Sequence, residues 1–155
     1  MKHLKNRFTP SRWVLLGVIS LGMTALLVQS SSAVGGITVD QLAGPWQITL
    51  IGNTGCGFTS MLVNVTLDSK GTGSATTTYH TGLSPSCHDN TATNLPFTIQ
   101  SLNPNGSGTA GLSCGPGCGW QFNIQVSPFR STFNLVDVDP ANPNNFLQGS
   151  AIRQL

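Results

Sequence analysis

His88 and Asp89 directly follow Cys87, with His80 shortly before them and Asp137 and Asp139 further along the chain. These residue types serve acid–base and nucleophilic catalysis: an imidazole or carboxylate moves a proton, and a thiolate attacks carbon. A hydrolase or metal-dependent enzyme using His88 and Asp89 is therefore one function to weigh. A Cys nucleophile needs a free thiol, however, and the cysteines are even in number: Cys56, Cys87, Cys114 and Cys118. In an exported chain an even set reads as two disulfides. A zinc site drawn from these cysteines and His88 would lack the usual C-x-x-C pairs, and no C-x-x-C-H marks covalent haem. Gly71-Thr72-Gly73 and Gly106-Ser107-Gly108 read as hairpin turns, since neither leads into a helix that could cradle phosphate. The expectation is a protein without catalytic residues, metal or cofactor.

Export is predicted from the first 33 residues. Lys2, Lys5, Arg7 and Arg12 precede an uncharged, mainly apolar run from Trp13 to Val28, and Ser31 and Ala33 supply small residues for a signal peptidase. This three-part layout predicts a signal peptide over 1–33, cleavage before Val34, and a single domain over 34–155. The apolar run is shorter than the roughly 20 residues that span a bilayer, and no second such run follows. The expected location is secreted or periplasmic, with no membrane span after cleavage.

The sequence has 155 residues and a formal charge of +2, but much of its basic charge lies in that leader. Beyond it stand Lys70, Arg130 and Arg153 against Asp40, Asp68, Asp89, Asp137 and Asp139. No basic patch remains for nucleic acid. The absence of Glu and the scarcity of Lys argue against a coiled coil or helical bundle.

Alternation dominates the remaining chain. Trp120-Gln121-Phe122-Asn123-Ile124-Gln125-Val126 is apolar and polar in strict turn, and Met61, Val63, Val65 and Leu67 share one face of a second run. Gly, Asn, Asp and Pro clusters separate such runs. Eight strands are predicted, near 46–52, 58–68, 73–80, 95–102, 108–114, 119–127, 131–138 and 145–154. Short links favour an all-β, eight-stranded antiparallel up-and-down barrel, with a β-sandwich as the alternative.

Such a meander sends alternate connections to one end. The connections at 53–57, 81–94, 115–118 and 139–144 hold or border all four cysteines. The other end has tight turns at 68–72, 103–107 and 127–130. The simplest pairing joins Cys114 to Cys118 and Cys56 to Cys87, while crossed pairings at the same end stay open. Binding sites in barrels favour a loop-bearing mouth. Met61, Phe122, Ile124 and Val126 are the candidate residues for a small apolar ligand there, if the barrel is not simply filled by side chains.

Gly44-Pro45-Trp46 resembles the G-x-W entry of lipocalins and related calycin barrels. The resemblance implies a short helical turn before the first strand and a late-strand Arg packed over the Trp to close the barrel base. Arg153 stands in that place, and an even strand count independently brings the chain end back beside Trp46. The T-D-Y-type motif of lipocalins is absent; Ser127-Pro128-Phe129-Arg130-Ser131 occupies its place.

Two readings compete with the enzyme. One is a secreted barrel that binds a small apolar ligand at its disulfide-linked mouth. The other is an extracellular structural or cell-surface interaction module, suggested by the many Thr, Asn and Ser residues and the low charge. Oligomeric state is left open.

Overall fold

The computed structural model describes residues 35–54, 57–81, 90–138 and 145–155. Eight strands follow a short 3-10 turn, Val39–Leu42. They are β1 Gly44–Asn53, β2 Phe58–Leu67, β3 Thr72–Thr81, β4 Asn90–Leu102, β5 Ser107–Gly115, β6 Cys118–Val126, β7 Thr132–Asp137 and β8 Phe146–Arg153. Each strand pairs antiparallel with the next, and β8 returns to β1, closing an up-and-down barrel. Closure leaves no strand edge to recruit another chain.

The period-two pattern explains the core. On β2, every second residue from Thr59 to Leu67 is buried, and Phe122, Ile124 and Val126 are buried in turn on β6. Trp46, Phe97, Phe122 and Phe133 are the largest side chains sealed inside. The outward positions carry mainly Thr, Ser, Asn and Gln. Asp137 and Arg153 are the only charged residues within these strands, and both belong to the inward-facing set of alternate residues.

Where β1 meets β8, the backbones approach closely. A Cβ on Gly52 or Gly149 would collide with the carbonyl oxygen of Phe146 or Thr49 respectively. Glycine at such a crossing lets a curved sheet close without displacing its neighbour.

The fourth strand begins earlier than its turn-rich sequence predicts. Asn90 to Asn94 was expected to belong to the long connection, yet it pairs with β3 from Tyr79↔Asn90 to Thr77↔Ala92. The register then shifts beside Ala75 and Thr77, and Asn94 takes a left-handed φ of 60°. Asn tolerates that conformation, so the polar cluster forms an irregularity inside a strand instead of a loop.

Candidate functional site

The base of the barrel is built from both ends of the described chain. Trp46 enters the core, and its Nε1–H donates to the Leu42 carbonyl at 2.7 Å. Its ring meets Phe133 at a centroid distance of 4.8 Å, tilted by 57°. Arg153 pairs with Trp46 across the β1–β8 ladder. The Arg153 guanidinium carbon lies 5.5 Å from the indole centroid, and Nη2 donates to the Ala43 carbonyl. Gly44 lies beside it: its φ of +126° is a left-handed conformation that favours glycine, and a Cβ there would stand at ordinary contact distance, 3.4 Å, from the guanidinium. The expected closure of Trp46 by Arg153 is thus present.

A strap from 35 to 43 completes the base. The Ile37 amide donates to the Pro104 carbonyl at 2.9 Å, tying the strap to the β4–β5 turn. Val39 lies where a Cβ on Gly71 would stand, at the β2–β3 turn. Arg130, in the β6–β7 turn, donates from Nε to Gln41 Oε1 at 2.6 Å and from Nη2 to the Gly35 carbonyl at 3.3 Å. All three base turns therefore hold one segment, and Ile37 and Leu42 are buried beneath it. Sequence reasoning missed this strap. Its local signals are the apolar pair Ile37 and Leu42 and the Thr38-x-x-Gln41 spacing, in which the Gln41 side chain accepts the Thr38 amide at 3.1 Å.

The mouth has a different lining. The register aligns Gly52, Thr59 and Thr81 in one cross-strand row. Asp137 lies opposite Phe122 on the β6–β7 ladder, with Oδ2 buried. Thr59 and Thr77 are each 1% exposed. The Thr59 hydroxyl donates to the Gly57 carbonyl at 3.2 Å and lies 2.9 Å from the Thr54 hydroxyl, from which it can accept. The Thr77 hydroxyl reaches the Ala92 carbonyl at 3.5 Å. Tyr79 and Trp120 are only partly buried and pack against the main core.

Of the four candidate ligand residues, Met61 pairs with Tyr79 and Phe122 with Asp137, so both stand just inside this polar lining. Ile124 lies deeper, opposite Leu135. Val126 lies deepest, beside Phe133, with its amide bonded to the Gly106 carbonyl of a base turn. The structure therefore brings Met61 and Phe122 to the mouth and places Val126 at the base.

Cys114 and Cys118 form a disulfide across the β5–β6 hairpin tip, as the simplest pairing predicts. Cys56, Cys87, His88, Asp89, Asp139 and the predicted leader over 1–33 lie outside the described residues. His80 stands on the outer wall, in a groove of about 540 Å³ that also involves Ser60, Leu62 and Thr78. It therefore faces away from the interior that Asp137 enters. Asp68 serves its turn, with Oδ1 accepting the Lys70 and Thr72 amides at 2.9 and 2.8 Å. Among the described residues, no group of three or more His, Cys, Asp or Glu side chains converges. No helix among them is long and apolar enough to cross a membrane. No protein-family model matches this chain, and no curated protein matches it either.

Proposed function

We propose that this chain is an exported, non-enzymatic, lipocalin-like barrel that holds a small, mainly apolar molecule at its mouth. The observation that carries the reading is the difference between the two ends. The base is sealed by a strap, an indole and a guanidinium, whereas the mouth lines its interior with hydroxyls, a carboxylate and two partly buried aromatic rings. Trp120 and Tyr79, partly buried, offer an apolar surface, and the buried Met61, Phe122, Ile124 and Val126 form the packed core behind them. The Asp137 carboxylate and the Thr59 and Thr77 hydroxyls make this half of the interior the more polar one, which favours a ligand with a polar end. A molecule with an apolar body and a single polar end matches that combination. The N-terminal layout and the disulfide support export. The Gly44, Trp46 and Arg153 arrangement supports the lipocalin likeness.

The test uses the full chain expressed in an exporting host and purified as that host delivers it. Native mass spectrometry should find a co-purifying small molecule, and a fluorescent fatty-acid probe should be displaced saturably. Probe binding should weaken in Trp120→Ala and Asp137→Asn. A ligand-free protein with no saturable probe binding overturns the reading.

The uncharged outer wall favours a second reading, an extracellular structural or interaction module. Its strand positions offer neutral Thr, Ser, Asn and Gln side chains with several exposed apolar ones among them.

A further inference from the structure

Five of the nine exposed large apolar residues among the described ones lie together; Leu62, Phe129, Ile152 and Leu155 lie elsewhere. Phe58 and Phe146 flank Asn53 in one cross-strand row, because β2 and β8 both pair with it there. The next outward row holds Ile51, Gln148 and Val136. Val138 lies one outward position beyond Val136, at the Phe146 end. These five apolar residues are 64%, 59%, 45%, 53% and 44% exposed, taking Phe58, Phe146, Ile51, Val136 and Val138 in order. They form one patch across β2, β1, β8 and the end of β7, on the mouth half of the wall.

The patch has both relief and a recess. Two phenyl groups project from it, and a surface depression of about 390 Å³ spans Ile51, Gln148 and Val136, with Asn134 and Gly149 also in its lining. Successive outward rows are about 7 Å apart along a strand, so the projection and the recess are neighbours. A two-fold axis through such a surface brings each projection over the other copy's recess.

We infer that this face is the contact of a symmetric dimer of this chain, with Phe146 of each copy seated in the Ile51–Val136 depression of the other. Three observations select a second copy. The closed barrel has no strand edge, so association must use a face. No described outward strand position carries Lys, Arg, Asp or Glu, so facing copies bring together no like charges and bury no ionised group. The five residues expose roughly 400–500 Å² of surface, the size of the largest apolar patch on a typical monomer, a patch that is often functional. Two such patches and their Thr and Asn rims reach about 1,200 Å², the lower bound for a specific interface. The inference stands whether or not the mouth binds a ligand.

Sedimentation velocity on the exported protein, from about 1 μM to about 1 mM, tests it. The expected result is a concentration-dependent monomer–dimer equilibrium. Phe146→Lys and Val136→Lys, each at an exposed position and checked by circular dichroism for a native barrel, should weaken it more than about tenfold. Ile152→Lys is the matched control: it is also outward on β8 and 55% exposed, but lies at the base end. It should leave the dimer intact. A monomer throughout the range overturns the inference, and so does a dimer that both patch variants leave unchanged. Probe displacement at the mouth should survive both patch variants, which separates this result from the fate of the ligand reading.

Discussion

At the base, the inward charge of Arg153 lies against the Trp46 face and a backbone carbonyl, under a strap held by three turns. At the mouth half, the inward charge of Asp137 stands on β7, while the buried threonine hydroxyls, those of Thr59 and Thr77, stand on β2 and β3. The ion types suit these places. A guanidinium is weakly hydrated and stacks well on an aromatic ring, so it tolerates a sealed site. A carboxylate is an acceptor that needs donors around it, so it belongs where hydroxyls, water or a ligand can supply them. The same strand alternation thus builds a strapped, aromatic-sealed base and a more polar mouth half.

The sharpest way to break this comparison is to truncate one tryptophan from each end. Trp46→Ala removes a fully buried indole, its bond to Leu42, its contact with Phe133 and its stack with Arg153. The expected cost is about 3–5 kcal/mol. Trp120→Ala truncates a partly buried ring and should cost less than half of that. Urea denaturation followed by circular dichroism reads both. Equal losses would mean that the mouth is as much core as the base.

Gly44→Ala sharpens the account of the base. The left-handed backbone at φ +126° penalises any side chain, while the new methyl would stand 3.4 Å from the Arg153 guanidinium, an ordinary van der Waals contact. A loss of about 1–3 kcal/mol is expected. In the Arg153→Ala background the cost should persist, because it lies in the backbone and not in a clash. A double-mutant cycle on urea midpoints checks this; a Gly44→Ala variant as stable as the parent would refute the backbone cost.

The features that were legible in the sequence are those carried by local alternation or by the chain ends. Trp120 to Val126 and Thr59 to Leu67 announce their buried faces through strict period two. Gly44, Trp46 and Arg153 could be brought together because an antiparallel meander with an even strand count must return. Cys114 and Cys118 flank a hairpin tip too short to separate them. The strap was not legible: Arg130 reaches Gln41 and Gly35 across most of the chain, and no local pattern encodes such contacts. The early start of β4 was hidden by Asn90 and Asn94, whose turn preference yields to the ladder with β3. The polar mouth lining was written in plain parity, since Thr59 shares a face with Met61 and Asp137 with Leu135. Threonine and aspartate simply do not declare themselves as interior residues.

Removing the mouth's disulfide should have a smaller effect than opening the base. Cys114→Ser combined with Cys118→Ser releases a closure of sequence separation 4. So short a loop contributes at most about 2 kcal/mol in the chain-entropy model. The loss should be confined to the β5–β6 tip, with amide exchange accelerating near Gly115 to Gly119 and unchanged at Trp46 and Arg153. Acceleration at both ends would show that the mouth and base unfold as one unit.

The smallest expected change in stability is the most informative about the mouth. Thr59→Val keeps the side-chain volume but removes the hydroxyl that donates to the Gly57 carbonyl and faces Thr54. The Thr54 side chain and Gly57 are only half buried, so water can replace much of what is lost. The cost should be about 1 kcal/mol or less. If the hydroxyl lining serves a ligand's polar end, affinity for a fatty-acid probe should nevertheless fall several-fold, while affinity for a probe lacking a polar end stays unchanged. Displacement titrations with the two probes, set beside urea denaturation of the same variant, separate binding from stability. A loss comparable to that of Trp46→Ala would make Thr59 a structural residue. Equal binding of both probes before and after the substitution would remove the polar lining from ligand recognition and leave the partly buried rings of Tyr79 and Trp120 as the contacts to test next.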